Sequence, residues 1–206
     1  MVDTAKISGE EKAWATLTSL DPADVCRRAL TAYSSSAGAY AVRVFNFIVT
    51  VAPEGRTISG SSPDCEVIIE KMAYFLRLSI LHYLIGAQTA PLSGQLVRPS
   101  DTKVGQLYFK GSHVLPLSAL SAAYARDTDK FLAQGIRFGG VRRRYGDTAV
   151  ELYPFPRLPV TLILWREDDE FAARAELLFD DTCERHVPAD ILWSTAMLSV
   201  LLMMKG

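Results

Sequence analysis

The chain has 206 residues, enough to bury a sizeable core without disulfide or metal staples, and a formal net charge of −1. That neutrality removes the electrostatic footprint of a dedicated nucleic-acid binder. A composition of 49% hydrophobic and 22% charged residues is globular and argues against disorder.

The elements follow in chain order. Gly9 to about Leu20 reads as a helix, and Asp21-Pro22-Ala23-Asp24 starts a second one running to about Tyr33, with an N-cap, a proline at the first helical position and an acid at the positive end of the dipole. Ser34 to Gly38 is a loop. From Ala39 to Val51 the period changes to two and β-branched and aromatic residues dominate, which predicts one long strand. Pro53-Glu54-Gly55 turns the chain into a short return strand, Arg56 to Ser59. Ser62-Pro63-Asp64 opens a helix from Cys65 to Ile85 that is apolar nearly all round, the pattern of a buried central helix, with Gly86 at its end. Residues Ala87 to Pro99 are irregular. Helices follow from Pro116 to about Ala125 and from Asp127 to Gln134.

The C-terminal half predicts a meander of Thr148–Tyr153, Val160–Arg166 and Phe171–Phe179. The middle strand is apolar on both faces, as a central strand is; the last alternates apolar with Arg174 and Glu176, which leaves one face wet. Prolines in Tyr153 to Pro159 interrupt the ladder, because proline has no donor. Pro188 opens a last apolar helix, read as core with a methionine-rich docking face as the alternative. The expectation is an α+β fold, an antiparallel sheet formed by this meander and an N-terminal strand pair packed on several helices, in a single globular domain over 1–206 with no linker or repeat.

Location and metal chemistry are read from the same residues. Cys26, Cys65 and Cys183 are widely spaced with no Cys-x-x-Cys pair, so neither a disulfide framework nor a tetrathiolate site is expected. The apolar run Ile191 to Met204 is shorter than the roughly 20 residues a bilayer span requires. The N-terminal stretch lacks the basic-then-apolar order of a signal peptide, so a cytoplasmic location without membrane attachment is expected. Cys183 with His186 could contribute two metal ligands, but a structural zinc site needs four, and a loop cysteine beside a surface histidine is the simpler reading.

Two glycine-bordered segments carry the candidate site. In Phe109-Lys110-Gly111-Ser112-His113, His113 precedes a helix start, where an imidazole could ligate a metal centre axially or move protons near neutral pH; a hydrogen-bonded loop histidine is the bland alternative. Gly139-Gly140-Val141-Arg142-Arg143-Arg144-Tyr145-Gly146-Asp147 joins a flexible backbone to three guanidiniums that could clamp a phosphate or carboxylate; solvated hairpin arginines are the alternative. It is neither a P-loop nor a dinucleotide fingerprint. Glu167 to Glu170 reads as a solvated turn, and Asp180-Asp181 as a strand end whose adjacent carboxylates point to opposite faces. No nucleophile elbow occurs.

Leu81-His82-Tyr83-Leu84, Gly111 to Pro116, Gly139-Gly140, Gly146 to Ala149, Pro156 to Pro159, Trp165 with Asp168 to Phe171, and Leu178-Phe179-Asp180 carry a resemblance. Their order, from about Val67 onward, resembles a family of uncharacterised proteins of anaerobic bacteria and archaea, a domain of unknown function. Some members look like fusions to an iron–sulfur domain of the kind found beside corrinoid proteins. The resemblance implies a setting in anaerobic redox or one-carbon metabolism, with any cluster supplied by an iron–sulfur or corrinoid partner protein, and it implies no catalytic residue. The combined expectation is a non-catalytic binding or accessory protein for an anionic cofactor such as a corrinoid or other tetrapyrrole, cradled by Lys110, His113, Gly139, Gly140, Arg142, Arg144 and Asp147. The rivals are an enzyme on a small anionic substrate with His113 as acid–base, and a protein-interaction module.

Overall fold

The computed structural model describes residues 9–103 and 114–204. Lys110 and His113 therefore lie outside the described residues. Helices α1 (Gly9–Ser19) and α2 (Pro22–Ala29) lead into a four-stranded antiparallel sheet, β1 (Ala32–Ser34), β2 (Ala39–Val44), β3 (Phe47–Ala52) and β4 (Thr57–Gly60), in sequential order. Helices α3 (Pro63–Lys71) and α4 (Ala73–Gly86) follow, then β5 (Leu96–Val97), α5 (Leu117–Ala123) and α6 (Thr128–Arg137). The C-terminal half is β6 (Val141–Arg143), β7 (Thr148–Phe155), β8 (Leu158–Trp165), β9 (Arg174–Asp180) and α7 (Ala189–Met204). The second sheet is antiparallel in the order β5-β9-β8-β7-β6. This is an α+β fold, with the N-terminal strand pair and the C-terminal meander both present and β8 central, as its doubly apolar sequence requires.

Four local features differ from the sequence pattern. The second helix stops at Ala29, because Leu30 adopts a left-handed conformation (φ 50°) and its N–H returns to Cys26 O; the next residues form β1. The expected long strand is a hairpin, β2–β3, turning at Phe45–Asn46 with Phe45 at φ 54°. A bulky residue avoids that region, and tertiary contacts hold it there: Phe45 N–H donates to Tyr153 O at 2.9 Å, its ring meets Phe138 edge-on, and the Asn46 amide donates to Arg137 O at 2.8 Å. The central apolar helix divides at Met72 into α3 and α4. The last strand begins at Arg174, which leaves Phe171 exposed in the preceding loop.

Helix starts follow the sequence closely. Asp21 accepts from the N–H groups of Ala23 and Asp24, Ser62 from Cys65, and Asp127 from Lys130. The two helices that are apolar all round, α4 and α7, pack on each other, and α7 is a core helix, with Met203 fully buried. In it the hydroxyls of Thr195 and Ser199 are satisfied by the carbonyls one turn back.

The β7–β8 hairpin turns at Pro156–Arg157, and a bulge between Leu152 and Phe155 takes in Pro154, which has no N–H to pair. Its tip is stitched to the helices. Arg157 Nε donates to Arg28 O at 2.6 Å and Nη1 to Ala90 O at 2.9 Å, while its N–H donates to Tyr83 Oη. Tyr83 Oη in turn donates to Ala29 O, and its ring stacks on Phe155 with centroids 4.5 Å apart. Arg157→Ala removes two charged donors from half-buried carbonyls and is expected to cost about 3 kcal/mol. Urea unfolding checks this, and Arg157→Lys, which lacks the guanidinium fork, is expected to recover less than half of the loss.

Candidate functional site

The face of each strand decides what the second sheet can present. Val150 packs against Gly135 and Gly140 on the helix side, so its partners Arg142 and Leu162 belong to that face. The alternate residues, Arg143, Glu151, Tyr153, Ile163, Trp165, Arg174 and Glu176, belong to the opposite face.

On that opposite face, at the Trp165 end of the sheet, a cleft of about 620 Å³ opens between the β6–β7 turn and the β8–β9 loop. Its lining includes Asp147, Trp165, Arg166, Asp168, Phe171 and Arg174. The turn rests on the indole: Gly146 sits at φ 54°, where a Cβ would lie 2.7 Å from Ile163 Cγ2 and 3.1 Å from Trp165 Cε2. Asp147 closes the turn by accepting from Arg166 N–H at 2.9 Å. Asp168 builds the facing loop. Its Oδ1 accepts from the N–H groups of Glu170 and Phe171, and those bonds hold its carboxyl below the usual carboxylate range. The Arg174 guanidinium lies over the Trp165 ring, 3.8 Å from its centroid.

A smaller cleft of about 210 Å³ lies on the same face around Arg143, Glu151, Tyr153 and Asp180. Glu151 accepts from both Arg143 and Tyr153, and burial followed by the bond to Glu151 pushes the Tyr153 phenol up to about 12. Burial raises the Asp180 carboxyl, but bonds from Thr182, Gly94 and Ser93 outweigh it and leave it lowered overall.

Of the residues nominated from sequence, Asp147 lines the large cleft. Arg142 and Arg144 are exposed and form no ion pair with a described residue; the register puts Arg142 on the other face from Asp147. Gly139 and Gly140 have a packing role. Gly139 (φ 76°) passes over Asn46, and a Cβ on Gly140 would stand 2.8 Å from Gly135 O and 2.6 Å from Val150 Cγ2. Sequence reading missed Trp165, Arg166, Phe171 and Arg174 as site residues. The available signal was an aromatic residue at each end of the Glu167–Glu170 turn with an arginine next to or near it.

Cys183 and His186 are both buried, and among the described residues no three metal-ligating groups converge. Burial drives the Cys183 thiol up to about 12. His186 is 0% exposed; its Nδ1 accepts from Gln88 N–H at 3.3 Å, and Nε2 has no hydrogen-bond partner among the described residues. Burial, then the nearby Arg157 charge, lowers its pKa to about 4.

Two outcomes are expected. Gly140→Ala must displace a backbone carbonyl and a core valine, and should destabilise the fold by about 1–3 kcal/mol in chemical denaturation. Neutral His186 contributes stability that is complete above the unfolded-state pKa near 6.5 and is lost as pH falls toward 4, about 3 kcal/mol in all, because only the unfolded chain takes up the proton in that window. The difference between the stability–pH profiles of wild type and His186→Gln isolates this loss from that of half-buried His82, whose pKa burial also lowers.

The family model of a domain of unknown function, DUF3786, matches residues 21–201. No curated protein and no solved structure matches the chain. The matched span reaches upstream of Val67 to take in α2 and the whole four-stranded sheet, and with it the Phe45–Asn46 tip that meets β7. By that match over most of its length, the chain belongs to the DUF3786 family.

Proposed function

We propose that this protein is a non-catalytic binding or accessory protein for an anionic organic cofactor, taken up in the cleft at the Trp165 end of the second sheet. The observation that carries the reading is the division of labour in that cleft. Its two carboxylates accept from backbone N–H groups and shape the loops, while Arg166 and Arg174 form no ion pair with a described residue. A volume of about 620 Å³ with one indole and one exposed phenyl ring is in the range of small-molecule sites. Asp168 is held as an ionised acceptor, which suits orienting a ligand rather than donating a proton to it. A pure interaction module needs no such cleft.

The finer reading, a corrinoid or other tetrapyrrole handled in anaerobic redox or one-carbon metabolism beside an iron–sulfur or corrinoid protein in the cytoplasm, rests on the resemblance described above. No helix among the described residues is long and apolar enough to cross a membrane.

Thermal unfolding tests the reading. Hydroxocobalamin or haemin at 100 times its dissociation constant stabilises a one-site binder by about 2.7 kcal/mol. A rise in midpoint with either, abolished in Arg166→Ala/Arg174→Ala, is the expected result; no rise with any anionic cofactor, at concentrations up to 1 mM, on the order of the weakest useful affinity, would overturn the proposal.

A further inference from the structure

The geometry of the large cleft points to a narrower ligand class, and the inference rests on the binding reading above. We infer that the unit recognised there is a fused-ring nucleotide, a flat two- or three-ring aromatic system tethered to a phosphate.

Arg174 supplies the first half of the argument. Its guanidinium carbon stands 3.8 Å from the Trp165 ring centroid, so the flat face of the cation is occupied by the indole. Stacking of this kind leaves the in-plane N–H groups available for hydrogen bonds, and a guanidinium fork grips a phosphate with two parallel ones. No carboxylate among the described residues pairs with that fork, although Asp147 and Asp168 line the same cleft. Arg166 adds a second cation to the lining of the cleft.

Phe171 supplies the second half. It is 69% exposed, and it lines the cleft. Its backbone is held on both sides: the N–H donates to Asp168 Oδ1 at 2.7 Å, and the carbonyl accepts from Asp168 N–H at 3.0 Å. The ring is thus presented by a closed turn. A lone exposed phenyl is ordinary on a protein surface, but one fixed at the mouth of a cleft beside two cations has a chemical counterpart, a flat π system whose charged tail reaches the guanidiniums. Ring stacking is sequence-tolerant and worth about 5- to 150-fold in affinity per ring, a magnitude that lets the aromatic part be detected separately from the phosphate.

The same chemistry has two sources, a free nucleotide or the base-nucleotide tail of a complete corrinoid. Calorimetric titration of the full chain separates them with five probes: flavin mononucleotide, riboflavin, inorganic phosphate, hydroxocobalamin and dicyanocobinamide, the last of which lacks the nucleotide tail. Flavin mononucleotide or hydroxocobalamin is expected to bind, with its phosphate-free or tail-free counterpart at least tenfold weaker and inorganic phosphate alone undetected. Binding of hydroxocobalamin identifies the corrinoid source; binding of flavin mononucleotide without hydroxocobalamin identifies the free nucleotide.

Arg174→Ala should weaken the phosphate-bearing probe about tenfold and leave riboflavin unchanged; Phe171→Ala should weaken flavin mononucleotide and riboflavin by the same factor. Both residues are exposed, and an unchanged urea midpoint in each variant confirms that folding is intact. Equal affinity within whichever pair binds, dicyanocobinamide with hydroxocobalamin or riboflavin with flavin mononucleotide, overturns the inference while leaving the binding function standing. Failure of all five probes overturns the inference, and failure of haemin as well in the thermal test overturns the binding function.

Discussion

The guanidinium of Arg157 is the contact on which the arrangement of the whole molecule depends. It reaches from the β7–β8 turn to the carbonyl that ends α2 and to the one in the loop leaving α4, and its own N–H meets the Tyr83 hydroxyl that caps Ala29. These acceptors are at helix and loop ends, where carbonyls have no partner in their own element. A single charged side chain therefore satisfies carbonyls from two segments that are far apart in sequence, and the backbone N–H of the same residue reaches a third. Arg28 does the same from the other side, donating to the carbonyls of Ile85 and Ala87 while Asp24 neutralises it. With the hairpin anchored at this end, the register of β7 and β8 is set along their full length, and so is the position of Trp165 at the far end.

The join between the two sheets has the same character. The Phe45–Asn46 tip lies against β7 and the end of α6; Gly139 lets Asn46 come close, and Gly140 lets the end of α6 approach Val150 and Leu152 of β7. The buried residues of both sheets and their helices form one apolar cluster, so the strain of a left-handed phenylalanine is offset by ring packing and two hydrogen bonds. A glycine pair that in sequence looks like a flexible anion loop is here a spacer between an α-helix end and a sheet.

Charge is distributed by role across the second sheet. Carboxylates that accept from backbone N–H groups, Asp147, Asp168 and Asp180, build the turns that rim the two clefts. Glu151 and Glu176 are held by Arg143 and Arg98. Arg166 and Arg174 stand outside these pairings, at the one end of the sheet where an indole and a phenyl ring are also accessible. With cations and carboxylates close to balance there, recognition depends on hydrogen-bond geometry more than on long-range attraction, in keeping with a near-neutral chain.

Sequence alone determined the α+β class, the helix starts at Asp21, Ser62 and Asp127, the central position of β8 and the burial of α4 and α7. Those features depend on caps, prolines and hydrophobic period, which act within a few residues. The tertiary structure alone decided that Ala39–Val51 folds back at Phe45, that Leu30 ends a helix, and that Met72 divides one. Leu30 and Phe45 hold left-handed backbones that their side chains disfavour, and at Phe45 the contacts that hold it come from distant segments. The site divides in the same way. Asp147 was legible because turn and charge coincide in one local motif. The cleft partners Trp165, Arg166, Phe171 and Arg174 were not, because strand register and a closed loop bring them together, and neither is written in the spacing of the residues themselves.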